Sequence, residues 1–331
     1  HTVLTIASSA GADRSEAGRV VRLDLETGGH AVLCDVKYPA VASVTPCGTG
    51  FVLMDAGLRL VRADSGDPIE ISGACRGYSL SPDGKTLAYA DGGIWLYDLE
   101  TGSRRKIDDG WDACSPVWFP DGKNLLFVGD LGVQLGDGAG HLQGIFRLNV
   151  DDPGSKTRII GDWEGKFRYI RWIMPGEIAH VEEGWDDGYN SVVLDLATLE
   201  KRDIVSLNRG GRMVYRPSHD SLVVLERDGS MARMDFRGTV ISRLDLAEVG
   251  GFRSGAVLTD FALLPDGRLL FFHKTPLQDH SVLWMTGPGL EEPVPLSRLP
   301  AEIGGGISVS PSGRSLAVNG EGRSLLIVTL E

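Results

Sequence analysis

The chain has 331 residues, 42% hydrophobic and 24% charged, which is ordinary globular usage with ample apolar material for a large core. Its 45 acidic and 33 basic side chains leave a formal charge of −12, which opposes binding to a phosphate backbone. No apolar run approaches the ~20 residues needed to span a bilayer, and four cysteines are too few for a disulfide scaffold and lack zinc-site spacing, so nucleic acid, membrane insertion and a stapled mini-fold are all disfavoured.

Residues 1–6 carry neither a basic stretch nor a long apolar one, so no signal peptide is expected. A cytoplasmic location is the favoured reading, with a periplasmic or secreted mature chain as the alternative. Strand-like segments follow at 3–6, 20–25 and 31–34. Then comes the first of seven prolines in a common turn context: Pro46, Pro82, Pro120, Pro175, Pro217, Pro265 and Pro311. Their spacings are 36, 38, 55, 42, 48 and 46 residues. That is the range of a four-stranded propeller blade, about 40–50 residues.

One copy explains the shape of all. In Tyr78-Ser79-Leu80-Ser81-Pro82-Asp83-Gly84-Lys85-Thr86-Leu87-Ala88-Tyr89, an extended segment meets a turn and leaves as a second strand. Proline presets φ early in the turn, aspartate bonds its own backbone, and glycine supplies a positive φ. Ile94-Trp95-Leu96-Tyr97-Asp98-Leu99 alternates as a third strand, Glu100-Thr101-Gly102 turns it, and an outermost strand begins at Arg105. The basic triplet Arg104-Arg105-Lys106 reads as the solvated face of that outer strand. The third-strand phrase recurs at 20–28, 145–150, 192–196 and 325–328.

The Ser-Pro-Asp-Gly-Lys-x-Leu-Ala-Tyr pair followed by Ile-Trp-Leu-Tyr-Asp-Leu-Glu-Thr-Gly resembles the TolB-type, or WD40-like, propeller repeat. The resemblance implies an all-β fold and is silent on function, because the shared residues are turn and core residues. The expectation is a single propeller domain over residues 1–331, built of four-stranded blades. Seven blades are favoured, closed by pairing N-terminal strands against C-terminal ones, with eight as the alternative.

Turns within a blade alternate between two faces, so the Pro-Asp-Gly turns mark one face (the turn face), and the connections between second and third strands, with the crossovers, mark the other (the loop face). On the loop face, 8–18, 129–144, 182–190 and 274–281 are long for hairpins, where about two to five residues is usual. Such loops on a rigid scaffold are where function usually sits. The candidate ligand-binding set there is Asp55, Asp91, Asp130, Glu182, Glu183, Glu226 and His273, with the aromatic residues Trp111, Tyr169, Trp185 and Tyr189. Carboxylates beside rings suit an amine, a sugar or a peptide through charge pairing and stacking. Trp118 and Trp172 are expected to pack between blades instead.

Sharper chemistry has weaker support in the sequence. Glu182, Glu183, Asp186 and Asp187 could hold calcium, but the spacing is not that of an EF-hand and a solvated acidic loop is the simpler reading. His141, His180 and His273, with Gln143 and Gln278, faintly resemble propeller lyases that hold a divalent metal such as manganese with three histidines and a glutamine. His180, however, stands where other repeats have Tyr89, Phe127 and Phe272, which is a core position. No Gly-x-Ser-x-Gly elbow occurs, and no residues remain for a hydrolase domain. Gly136-Asp137-Gly138-Ala139-Gly140 reads as a loop rather than a phosphate cradle. Cys75 and Cys114 hold nearly equivalent positions in consecutive repeats, which makes them possible neighbours. The leading expectation is a recognition propeller for a protein, peptide or small polar or cationic ligand, with no evident cofactor. The alternative is a lyase, cyclase or hydrolase at the same mouth, using His141, His273 and Glu182.

Overall fold

The computed structural model describes residues 2–7, 18–24, 30–36, 43–47, 50–55, 57–62, 68–110, 112–134, 141–160, 166–174, 178–185, 188–208, 214–217, 221–225, 230–235, 239–245, 261–264, 266–273, 280–291, 293–300, 303–309, 315–320 and 325–329. Within them every regular element is a strand. The first sheet is β1 (Thr2–Ala7), β2 (Gly18–Asp24) and β3 (His30–Val36). The second is β4 (Ser43–Cys47), β5 (Gly50–Met54), β6 (Leu58–Arg62) and β7 (Pro68–Ser72). The third is β8 (Tyr78–Leu80), β9 (Thr86–Ala90), β10 (Ile94–Asp98) and β11 (Arg104–Asp108), and the fourth is β12 (Cys114–Trp118), β13 (Asn124–Gln134), β14 (His141–Asn149) and β15 (Asp152–Ile160). The fifth is β16 (Lys166–Met174), β17 (Ile178–Trp185), β18 (Gly188–Asp195) and β19 (Lys201–Asn208). The sixth is β20 (Val214–Pro217), β21 (Leu222–Leu225), β22 (Met231–Met234) and β23 (Val240–Leu244). The seventh is β24 (Phe261–Leu263), β25 (Leu269–His273), β26 (His280–Thr286) and β27 (Val294–Pro300). β28 (Ile303–Val309), β29 (Ser315–Gly320) and β30 (Leu325–Thr329) form the last. The chain divides into two compact units, Val41–Gly210 on one hand and His1–Ala40 with Gly211–Glu331 on the other.

This corrects the expected blade count. A ring of seven four-stranded blades, closed by N-terminal strands pairing with C-terminal ones, is not formed: β1 pairs with β2, and β28 to β30 make their own sheet. Nor are there eight four-stranded blades, because the first and last sheets have three strands each. The miscount has a physical origin. The proline-anchored turn joins the first and second strands of a blade. The first sheet, β1 to β3, contains no proline, so counting proline turns passes over it.

The repeat chemistry is otherwise as its residues require. In the turns Ser81–Gly84, Phe119–Gly122 and Leu264–Gly267, the glycine amide donates back to the first carbonyl at 2.8, 3.0 and 2.9 Å. The glycines take φ of +72°, +66° and +85°. Each turn aspartate accepts from the amide two residues on: Asp83 from Lys85 at 3.0 Å, Asp121 from Lys123 at 2.8 Å, Asp266 from Arg268 at 3.1 Å. These are Asx turns. The Ser81 hydroxyl, then the Lys85 amide, hold the Asp83 carboxyl below its usual range. For Asp121 and Asp266 partial burial works the other way, and is outweighed by the Lys123 and Arg268 amides and by the Asn124 and Arg268 side chains. A folded pKa below the unfolded one stabilises fully above the unfolded carboxylate range, about 4, and that stabilisation is lost as pH falls through the lower folded values. Urea midpoints are therefore expected to hold between pH 7 and 5 and to fall below pH ~4. Changing Asp83, Asp121 and Asp266 together to asparagine should flatten the acid limb.

Packing runs from sheet to sheet in chain order, because successive residues of a strand face opposite neighbours. Leu87 and Tyr89 of β9 join Val52, Leu58 and Leu60 of the second sheet. Ala88 and Ala90 join Leu125, Phe127, Phe146 and Trp118 of the fourth. Leu126 and Val128 in turn meet Ile170, Ala179, Val181 and Val192 of the fifth. In the other unit, Val223 and Met231 pack with Phe261, Leu269, Phe271 and Trp284. Trp118 thus lies between sheets as expected, with its indole N–H donating to the Ser79 carbonyl at 3.1 Å; the Trp172 side chain lies outside the described residues. Outermost strands stay solvated, since they pack mainly on one side: β11 is exposed at Arg104, Arg105 and Lys106.

Candidate functional site

In the unit Val41–Gly210, strand pairing sets one end of each sheet as the loop face. There Leu58 pairs with Ser72, Ile94 with Asp108, and Ile145 with Ile160, so hairpins and crossovers meet. A glycine stands just before the third strand at Gly57 and Gly93, and within it at Gly144. A Cβ on them would lie 2.6, 2.2 and 2.7 Å from the carbonyl oxygens of Ser72, Asp108 and Ile160. The missing side chain lets the fourth strand close on a bulge.

The candidate carboxylates there are fastened to their surroundings. Asp55 pairs with Arg59, its side chain only 1% exposed. Asp91 accepts from the Ser72 hydroxyl at 2.9 Å, and its backbone carbonyl takes the Trp95 indole N–H at 2.9 Å. Asp130 accepts from the Gly132 amide at 2.7 Å. A further array escaped sequence reading. Arg76, on the crossover before β8, pairs with Asp112 before β12, and Gln143 of β14 donates to the same carboxylate at 3.2 Å. The Arg76 side chain is 48% exposed. No local signal could reveal this array, because its members are 36 and 31 residues apart. Beside it Ser115 takes a φ of +51°, opposite Gly77 at +123°.

Two stretches expected as long loops are strands. β13 runs to Gln134 and β14 starts at His141, with Asp130 opposite Gln143 and Gln134 opposite His141. β17 and β18 leave only two residues between Trp185 and Gly188. Glu182 lies between Tyr169 and Ser191, and Glu183 between Phe167 and Asn190. Their acidic and glycine-rich composition hides strand character that the ladder imposes. Tyr189 pairs with Gly184 and Leu207, and His273 with Val282. The side chains of His141, Tyr169, Glu182, Glu183, Trp185, Tyr189 and His273 lie outside the described residues, as do residues Trp111, Asp186, Asp187, Glu226, Gln278 and the segment 136–140. His180 is fully buried on β17, but the register aligns it with the buried Ala88 and Leu126 rather than with the expected aromatics Tyr89 and Phe127. Among the described residues, no three of His, Cys, Asp and Glu are grouped to hold a metal.

Cys75 and Cys114 are not joined by a disulfide, and they serve different cores. Cys75 packs with the cluster of the second and third sheets, Cys114 with that of the fourth and fifth. Burial pushes the Cys75 thiol up to about 11, against weaker help from the Gly77 and Ala90 backbone. The turn face, plain by sequence, carries a groove of about 780 Å³ between the third and fourth sheets, with Asp98, Ser103, Trp118, Asp121 and Lys123 on its walls. Its aspartates Asp98 and Asp121 are engaged by their own turns: Thr101 and Glu100 amides on one, Lys123 and Asn124 amides on the other.

No family model matches the chain, and no curated protein matches it in sequence. Solved structures do. The Porphyromonas gingivalis dipeptidyl peptidase 4 superposes with a TM-score of 0.61 at 11% identity, over 94% of this chain and 56% of that one. The chain thus spans little more than half of that protein. A chain of the mitotic checkpoint complex gives 0.53 at 12% identity, over 99% and 93%, and the RRP9 WD40 repeats give 0.51 at 14%, over 99% and 100%. At such identities the likeness concerns fold alone. The chain has the β-propeller fold, with small blades of three or four strands.

Proposed function

We propose that the chain is a recognition propeller whose loop face binds a protein or peptide segment. The observation that supports this is the array of Arg76, Asp112 and Gln143, which joins the third and fourth sheets and holds Arg76 half exposed. A charged, partly solvated array fixed across two sheets is ordered before a partner arrives, so little side-chain entropy is lost on binding. Asp55 and Asp91 sit in the same end of the unit as structural acceptors rather than as acid–base groups. WD40 repeats and a checkpoint-complex chain among the structures of similar fold agree with a binding role.

A photo-crosslinking residue at Ala74, exposed on the loop face, is expected to trap a protein partner that excess unlabelled propeller competes away. The same residue at Glu100, exposed on the turn face, should not. Arg76→Glu should abolish the first crosslink, and Arg76→Gln, which sets no like charge against Asp112, should weaken it with the melting temperature nearly unchanged. Crosslinking confined to Glu100, or indifferent to Arg76→Glu, would refute the proposal. The enzymatic alternative predicts instead a metal-dependent turnover that His273→Ala removes.

A further inference from the structure

The outer rim of the third sheet carries a charge opposite to that of the molecule. β11 is the outermost strand of its sheet, and among the described strands only β10 pairs with it. Its first three residues, Arg104, Arg105 and Lys106, are all exposed in a chain of net charge −12. Strand alternation places Arg104 and Lys106 on one face of the sheet and Arg105 on the other. All three are held. Arg104 and Lys106 both sit over the Trp95 ring, at 5.7 and 5.6 Å from its centroid. Arg105 donates to the Val150 carbonyl of the fourth sheet at 2.8 Å. The neighbouring outer strand β15 adds the exposed Arg158, while its Lys156 is spent on Asp108.

The acidic groups nearby do not cancel this rim. Asp108 is taken by Lys156 at 2.6 Å, with its side chain only 8% exposed. Asp109 meets Lys106 at 3.1 Å, but its side chain is 93% exposed, and a pair that solvated is worth little. Asp151 and Asp152 are exposed in the turn that opens β15, next to the Val150 carbonyl that Arg105 holds, and offset only part of the charge at that end.

We propose that the free edge of β11 accepts an acidic extended segment of a partner as an added antiparallel strand. The row of backbone groups along the edge supplies sequence-independent bonds, which is the usual basis of strand addition. The cations supply the selection through cross-strand charge pairs. Because they occupy consecutive positions, and so both faces, the best complement is a run of consecutive acidic residues rather than an alternating pattern. Pinning by Trp95 and Val150 lowers the ordering cost on binding. This site is separate from the loop face and does not depend on it.

The probe is a fluorescein-labelled peptide with three consecutive glutamates flanked by valine and threonine, followed by anisotropy against the whole chain. Binding is expected to weaken about tenfold in the double variant Arg104→Glu/Lys106→Glu, and also from about 50 to 500 mM salt. The neutral pair Arg104→Gln/Lys106→Gln should give an intermediate loss, which keeps the test valid should the reversed pair melt early. A peptide of equal charge with a central proline cannot pair as a strand and should bind far more weakly. Amides of β11 should exchange more slowly with the glutamate peptide bound. The proposal is overturned by absence of binding, by indifference to both double variants, or by equal binding of the proline peptide. It is also overturned if poly-uridylate displaces the peptide through the same residues with higher affinity, which would make the rim a phosphate-binding surface.

Discussion

Phe127→Ala is expected to lower the stability of the unit Val41–Gly210 by about 3–5 kcal/mol, the range for removing a buried aromatic ring. Phe127 is fully buried on β13, and its ring stacks on Phe146 at 5.7 Å with 22° between planes. It sits in the cluster where the third and fourth sheets meet, beside Ile94, Leu96 and Leu125. Lys156 lies 5.4 Å over its ring and 4.6 Å over that of Phe146, so the loss also loosens the Lys156–Asp108 bridge between those sheets. Close-packed strands on both sides leave little room for collapse into the cavity. Urea unfolding followed by tryptophan fluorescence would measure the loss, and a cost under about 1 kcal/mol would show that the site repacks and that the two sheets are not locked there. Phe127→Leu, which keeps most of the volume, should cost markedly less.

Gly93→Ala should be comparably damaging for a different reason. Gly93 has a φ of +131°, which L residues rarely adopt, and a Cβ there would lie 2.2 Å from the Asp108 carbonyl oxygen and 2.5 Å from Lys106 Cε. The carbonyl is backbone at the end of β11 and can move only if the bulge between Ile94 and Trp95 opens. Backbone strain and overlap together should cost about 3 kcal/mol. Gly84→Ala is the matched control. Gly84 also has a positive φ, +72°, but nothing lies within 4 Å of a Cβ there, so only about 1 kcal/mol should be lost. If the two variants melt alike, close approach of the fourth strand is not what the glycine serves.

These positions show how far local sequence reaches. The three sharp Pro-Asp-Gly turns close through bonds of two to three residues' span, so their residues suffice to specify them. The same holds for Asp98, whose carboxylate takes the amides of Glu100 and Thr101. The four strands of the third sheet follow, and so does the exposure of Arg104, Arg105 and Lys106 on the outer one. Burial of His180 was legible too, because its place in the repeat is an apolar one.

Contacts between sheets were not legible. Arg105 reaches Val150 across 45 residues, Lys156 reaches Asp108 across 48, and Arg76 reaches Asp112 across 36. Nothing near either member of such a pair distinguishes it from an ordinary solvated residue. For the same reason the carboxylates Asp55 and Asp91 looked open to ligands while their partners Arg59 and Ser72 already held them. Strand composition misled as well: acidic 182–190 and glycine-rich 129–144 scored as loops until pairing made most of them ladder.

The sequence by itself determined the repeat: its turns, its strand alternation, and the solvated outer strand of the third sheet. Those depend on φ preferences and bonds within a few residues, which the local chain carries in full. Only the tertiary structure decided how the strands group into sheets, because the first sheet contains no proline turn to mark it. It also decided which charges are fastened and which thiols share a core, since both depend on which neighbouring sheet each side chain faces.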